Sequence, residues 1–396
     1  MKKLFSSRMA NIKPNAINEL FSLISQPGVV SFGGGYPDPE LFPIEKIKQA
    51  FGQALDKHGK AALQYTISQG ILPLRRKVAE RMAAIGINCD PENEIILLQG
   101  GQQGLDLVPR LLIDKGDVIA LENPTFLGAT GSFAQYQPEY APISMDADGM
   151  RMDELENALK TSPRVKFIYT IPDFQNPTGR TMSLERRKKM LELARAYDVL
   201  ILEDSPYRDL RYEGEPVAPI KSLDTEGRVI YLGTFSKILA PGLRLGWVAA
   251  SPEIVNKLVM LKKDADSHCS TINMYAVDAF LEMFDIDEHI ARLRANYKRK
   301  KDLMINIIRE VFPKSIAYTD PAGGLFTWLT FPQGFDATAI MKTRLLPEAK
   351  VAYVPGDSFF PAAPEANHAR VNYSFMTDEQ INSGIRKMGE VLAKYL

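Results

Sequence analysis

Cysteine is nearly absent from this 396-residue chain: Cys89 and Cys269 are the only two, far apart and outside any C-x-x-C pattern. They suggest neither a disulfide framework nor a cysteine-based zinc site. Histidine is equally sparse. His58, His268, His289 and His368 lack the spacing of metal ligands, so solvent-facing or hydrogen-bonded histidines are expected and no metal is. Neither sign of charge predominates, with 48 Lys plus Arg against 48 Asp plus Glu, which removes a global field for nucleic acid or an anionic membrane. No apolar run approaches the roughly 18–20 residues of a membrane span. Met1-Lys2-Lys3 is basic, but no apolar segment follows it as in a secretory signal. There is no G-x-x-x-x-G-K-[ST] phosphate loop, no internal repeat and no low-complexity segment. These absences leave a globular, cytoplasmic enzyme as the expectation. The length suggests one large and one small domain.

What is present is a succession of short apolar runs. Residues 94–98, 118–121, 165–170, 199–204 and 229–233 read as strands, and 247–250 as one more. Helical patterns alternate with them, at 44–88 (broken at Gln64-Tyr65-Thr66-Ile67-Ser68-Gln69-Gly70), 105–113, 183–197 and 287–312. Alternation of this kind implies a parallel sheet covered on both faces. Residues 315–396 carry strand-like pieces at 324–329 and 370–375 and a closing helix from Thr377, the pattern of a smaller α+β unit. An amphipathic helix is expected at 15–24, ahead of Gly33-Gly34-Gly35, where backbone can approach another group closely. The basic run Lys298-Arg299-Lys300-Lys301 reads as a solvated helix face.

The most informative stretch is Thr234-Phe235-Ser236-Lys237. It follows the strand at 229–233, so the lysine stands where open α/β sheets bind ligands. Ile238-Leu239-Ala240 follows it and offers poor solvation. Desolvation lowers an amine's pKa, and a neutral amine condenses with an aldehyde. The hydroxyls of Thr234 and Ser236, with Arg244 beyond, would suit a phosphate, which together suggests a Schiff base to pyridoxal phosphate. Alone, a Ser-Lys pair is more often a surface lysine. Four further features fall at strand ends or in loops, where function concentrates. They are Asn176-Pro177-Thr178-Gly179, Glu203-Asp204-Ser205-Pro206-Tyr207, Arg244, and Arg370 with Asn372; separately, the glycine turn at 99–104 opens a helix and suits a phosphate.

In this order and spacing, the motifs resemble those of fold-type-I pyridoxal-phosphate aminotransferases, class I/II. The similarity is greatest to the 2-aminoadipate/kynurenine type, a domain found also in MocR-like regulators. It covers nearly the whole chain and rests on Phe32-Gly33-Gly34-Gly35, Gln64-Tyr65, Gly100-Gly101-Gln102-Gln103, Glu122-Asn123-Pro124-Thr125-Phe126, Gln175-Asn176-Pro177-Thr178-Gly179, Asp204 to Tyr207, Thr234 to Lys237, and Arg370-Val371-Asn372-Tyr373-Ser374. The resemblance implies an α/β large domain over 44–290 with a mainly parallel seven-stranded sheet. It implies a smaller unit made of 1–43 and 291–396.

The resemblance also implies roles. Lys237 would hold the cofactor and move the proton, and Asp204 would face the ring nitrogen. Asn176 and Tyr207 would donate to the ring oxygen O3′, and Phe126 would stack on the ring. Thr234, Ser236, Arg244, Gln102 and the Gly101 amide would cradle the phosphate. Relatives often carry Ser or Ala where Gly101 stands, so a hydroxyl contact would be missing here. Arg370, with Asn176 and the Gly35 backbone, would grip the substrate carboxylate. Tyr65 would reach the neighbouring site of a homodimer.

In 2-aminoadipate-type relatives an arginine on the N-terminal helix binds a distal carboxylate. Asn18 stands at that place here, and Arg8 lies earlier. The expectation is therefore ping-pong transamination of aromatic or aliphatic L-amino acids, or of 2-aminoadipate-like ones, with 2-oxoglutarate as acceptor. Two alternatives remain: β-elimination or decarboxylation on the same scaffold, and a non-catalytic effector-binding domain. The latter would need a DNA-binding module of roughly 60–70 residues ahead of the glycine loop.

Overall fold

The computed structural model describes Leu4, residues 6–10 and residues 28–396; the helix expected at 15–24, with Asn18, lies outside these. In chain order the strands are β1 (Val30–Ser31), β2 (Ile95–Leu98), β3 (Val118–Asn123), β4 (Glu139–Asp146), β5 (Gly149–Met150), β6 (Val165–Thr170) and β7 (Leu200–Asp204). They continue with β8 (Val229–Thr234), β9 (Gly246–Ala249), β10 (Ala317–Tyr318), β11 (Phe326–Thr330), β12 (Val351–Ala352), β13 (Val354–Pro355) and β14 (His368–Asn372).

The large sheet runs β2-β9-β8-β7-β6-β3-β4-β5. It has eight strands rather than seven, because the two-residue β5 folds back antiparallel on β4. The pairs from β4 through β3, β6 and β7 to β8 are parallel, and β9 is antiparallel to both its neighbours. Both faces are buried, as the continuous apolar runs require. Ile96, Leu98, Phe167, Tyr169, Ile230, Leu232 and Val248 point into one core. Their neighbours in sequence point the other way: Ile95, Leu97, Tyr231 and Trp247 enter a second core, Ile168 and Val229 a third. The carboxyl ends of β3, β6, β7 and β8 therefore lie along one edge, and the loops carrying Phe126, Asn176, Tyr207 and Lys237 leave from that edge.

A four-stranded sheet, β10-β11-β14-β13, is antiparallel throughout. Arg370 lies on β14 opposite Trp328 of β11. β1 pairs with β12, and Phe32 enters the core of this smaller sheet, so the glycine loop is carried up to the site. Buried Asp38, just after that loop, is fixed by Lys300 at 2.6 Å; Lys300 also donates to Ser374 O. The basic run at 298–301 is thus only partly a solvated face. Lys300 and Lys301 are buried and ion-paired.

Helix Gly101–Leu112 starts at Gly101, earlier than expected. Gly100 has φ +75°, which reverses the chain sharply out of β2, and the Gln99 N–H donates to Gln103 Oε1. At Gly104 an added Cβ would meet Leu232 Cδ1 at 2.5 Å, so the helix lies directly on β8. The other expected helices are present, notably Leu184–Ala196, Ile286–Val311 and Asp378–Tyr395, the last capped by Thr377.

Candidate active site

A cavity of about 470 Å³ opens at the carboxyl edge of the large sheet, where loops from both sheets converge. Lys237, Asp204, Asn176, Tyr207, Arg244 and Arg370 line it together, with Gly35, Gly101, Gln102, Phe126, Thr234 and Ser236.

Lys237 sits on a tight turn after β8. Thr234 Oγ1 accepts from the Ser236 N–H at 3.1 Å and donates to Ser236 Oγ at 2.9 Å. Phe235 is fully buried against Trp247, which fixes the turn from behind. The Lys237 amine donates to Gly35 O at 2.9 Å, across 202 residues of sequence. Burial, reinforced by the guanidinium groups of Arg370 and Arg244, pushes the amine down to about 8. An ordinary lysine stays charged well beyond that pH.

Asp204 ends β7 and is 6% exposed. Burial pushes its carboxyl up to about 7, opposed by the Tyr169 hydroxyl, which donates to Oδ2 at 2.9 Å. Oδ1 has no hydrogen-bond partner among the described residues. A buried carboxylate with a vacant oxygen calls for a cationic or N–H donor from a ligand.

Arg370 is held from three sides. Nη1 donates to Asn176 Oδ1 and Nη2 to Gly33 O, both at 2.8 Å, and the guanidinium lies 4.2 Å over the Phe326 ring and 5.0 Å from that of Phe359. Among the described residues its buried Nε has no partner and no carboxylate neutralises it. Burial holds it down to about 10. An anionic substrate group would satisfy such a cation. Asn176 Nδ2 donates to the Tyr207 hydroxyl at 3.4 Å. Burial raises the Tyr207 phenol, so it keeps a proton to donate.

At the opposite end, Arg244 adopts φ +52° and donates from Nη2 to Gln99 O at 2.9 Å. It packs so closely on the glycine turn that a Cβ at Gly100 would stand 2.7 Å from Nη2. The first amides of helix Gly101–Leu112 have no intrahelical partner and face an anion well. Gln102 lines the cavity, but its side-chain amide is engaged by Gly128 O at 3.0 Å and Ser132 Oγ at 2.7 Å. Its available donor is therefore the backbone N–H. An amine, a carboxylate with a free oxygen, and a cradle of amides, hydroxyls and guanidinium fit pyridoxal phosphate by chemistry and by position.

Tyr65 is not among the lining residues. It is 83% exposed, with its ring edge on His268. Sequence reasoning assigned no role to Tyr169, Phe326 or Phe359. The available signal was the Tyr169 hydroxyl in a strand whose residues, Lys166 apart, are buried, since such a group needs a partner.

Residues 28–388 match the family model for aminotransferase class I and II. The chain is 42% identical to aromatic-amino-acid aminotransferase 1 of Thermococcus litoralis, over 99% of this chain and 94% of the relative. Kynurenine aminotransferase of Pyrococcus horikoshii superposes with a TM-score of 0.95 at 37% identity, covering 100% and 98% of the two chains. The alpha-aminoadipate aminotransferase of Thermus thermophilus, solved with N-(5'-phosphopyridoxyl)-L-leucine, superposes with a TM-score of 0.91 at 36% identity over 99% and 98%. With the site and these likenesses in agreement, the chain belongs to the class I and II aminotransferase family, of fold type I, and is a transaminase with pyridoxal phosphate as its cofactor.

Proposed function

We propose that this enzyme transaminates L-amino acids with aromatic or aliphatic side chains by a ping-pong mechanism, with 2-oxoglutarate as acceptor. The observation that carries the reading is the composition of the one cavity that holds Lys237, Asp204 and Arg370. Tyr36, Leu105, Phe126, Leu127, Phe326 and Val354 provide apolar walls. Its lining lysine and arginines are Lys237, Arg244 and Arg370 alone. Each has a task in the reading, so no cation among the described residues is left for a distal carboxylate. Arg8 lies near Tyr136 and does not line the cavity.

Pyridoxal phosphate, when bound, supplies an aldehyde for the substrate amine and a ring that withdraws electrons from Cα. The roles of the protein's own residues follow from their chemistry. Arg370 holds the substrate carboxylate bidentately, while Asn176 and the Gly35 backbone fix its angle. Lys237 Nζ, desolvated and neutral above about pH 8, is placed to take a proton from substrate Cα and would hand it on as the amino group is transferred. Asp204 would keep a proton on the ring nitrogen. The Tyr207 hydroxyl and Asn176 amide would donate to the ring oxygen. Phe126 would cover one ring face and exclude water. Arg244, Ser236, Thr234 and the amides of Gly101 and Gln102 would hold the phosphate.

A homodimer belongs to the same proposal. Leu63, Tyr65 and Ile67 are 75%, 83% and 57% exposed on one loop, an apolar surface that a second copy would cover, with Tyr65 reaching the neighbouring phosphate. The division into 44–290 and 1–43 plus 291–396 is likewise proposed. It is supported by the two sheets, which fall within 95–249 and 317–372. No helix among the described residues is long and apolar enough to cross a membrane, and a cytoplasmic location is proposed.

A panel of amino donors against 2-oxoglutarate and pyruvate tests the reading. Phenylalanine, tyrosine, kynurenine and leucine are expected to exceed 2-aminoadipate in kcat/KM by about tenfold or more, the worth of one unmet ion pair. Preference for 2-aminoadipate would overturn the substrate class. Ammonia and pyruvate released from β-substituted donors faster than amino transfer would favour the β-elimination alternative.

A further inference from the structure

Glu122 is 1% exposed, yet no cation among the described residues pairs with it. The charged neighbour that its carboxyl feels is Asp204. Burial pushes it up to about 7 against the pull of its hydrogen bonds. Such a group is costly to bury, so its bonds are informative. It stands near the end of β3, four residues before Phe126. Oε1 accepts from Thr170 Oγ1 at 2.6 Å and from the Ile171 N–H at 3.2 Å; Oε2 accepts from Gln175 Nε2 at 3.1 Å. The same Gln175 nitrogen donates to Pro124 O at 2.9 Å, and Gln175 Oε1 accepts from the Thr178 N–H and hydroxyl. One residue on, Asn176 accepts from Arg370. The side chains of Glu122 and Gln175 thus join the loop that bears Phe126 to the turn that bears Asn176.

We propose that Glu122 is a positioning residue for the carboxylate clamp: through Gln175 it sets where Asn176 holds Arg370. The proposal rests on the reading of Arg370 as the carboxylate anchor. Above its titration near 7 the Glu122 carboxylate only accepts, which suits the three donors around it, so the test is made at pH 8. Glutamine in its place would turn an N–H₂ toward at least one of those donors and shift the turn.

A double-mutant cycle on the holoenzyme tests this, with 3-phenylpropionate, an unreactive carboxylate, as the probe. Arg370→Ala is expected to weaken the probe about 100-fold. Glu122→Gln is expected to weaken it about tenfold while cofactor stays bound through gel filtration, because Lys237, Asp204 and Arg244 are untouched. In the Arg370→Ala background, Glu122→Gln should add less than about twofold. Equal weakening in both backgrounds, or none in either, overturns the proposal. If Arg370→Ala leaves probe affinity unchanged, the anchor reading itself falls and takes the proposal with it. Should Glu122→Gln fold poorly, Gln175→Met removes the turn's donor and leaves Glu122 bonded to Thr170 and Ile171. The same non-additive loss is expected there, and unchanged affinity in a folded Gln175→Met enzyme overturns the proposal.

Discussion

Lys237→Ala is expected to lower kcat by about 10⁴-fold or more for every donor, the span of a positioned proton-transfer group with the added loss of covalent attachment. The expectation follows from where the amine stands. Among the described residues it has one hydrogen-bond partner, the Gly35 carbonyl, and the two guanidinium groups near it disfavour its protonation. Among the described residues no other lysine lines the cavity. Cofactor should still bind through the phosphate cradle and Asp204, but unfolding in denaturant should release all of it unattached. Compared without cofactor, the variant should be at least as stable as the parent, because a desolvated amine is removed. A variant that keeps more than about one per cent of the parental kcat would contradict the assignment, since it lies within about a hundredfold of the intact enzyme.

The second large effect is at Asp204. Asp204→Asn should reduce kcat by about 10³-fold, because the amide cannot keep the ring nitrogen protonated. It should also reverse a stability trend. In the cofactor-free protein the carboxyl is pushed from its ordinary range to about 7. Between roughly pH 4 and 7 the folded state therefore binds more protons than the unfolded one, and stability falls as pH rises. At pH 7 that contribution is a loss of up to about 4 kcal/mol, by the size of the shift. Asparagine removes it, so cofactor-free Asp204→Asn should melt higher than the cofactor-free parent at pH 7 and gain less at pH 4. A cation or N–H donor facing Oδ1 turns the cost into binding energy, which is why the site tolerates it. Paired urea titrations of both cofactor-free proteins at the two pH values read the effect. A variant destabilised equally at both would show Asp204 to be an ordinary structural carboxylate.

These two residues were legible in the sequence because each stands shortly after a short apolar run at the end of a strand. Val229 to Gly233 and Leu200 to Leu202 are continuous runs, and a polar group at the end of such a run falls at the edge of the sheet. The alternation of strands and helices was legible for the same reason. Strand β4 was not expected, since five of its first six residues are only partly buried or exposed and Pro142 interrupts the pattern. The helix after β2 begins at Gly101, although its first residues, Gly-Gln-Gln-Gly, carry no apolar stripe. It is Gly100 and the packing of Gly104 on Leu232 that start it there, and neither is visible as a period.

Long-range contacts were legible only as residue types. Arg370 reaches Gly33 across 337 positions, Tyr169 reaches Asp204 across 35, and Gln175 reaches Glu122 across 53. Each joins elements that are neighbours only once the sheets have formed. Gln102 shows the reverse. Its place beside the helix start suited a phosphate contact, but packing of Leu127–Phe133 brings Gly128 O and Ser132 Oγ within reach of its amide. Residue type could not distinguish these two partners.

The central claim, that Lys237 holds the cofactor, is tested most directly by reducing the purified holoenzyme with borohydride and mapping its peptides by mass spectrometry. The phosphopyridoxyl group is expected on Lys237 and on no other lysine. The same group on a different lysine, or a reduced enzyme whose Lys237 peptide is wholly unmodified, would contradict the account.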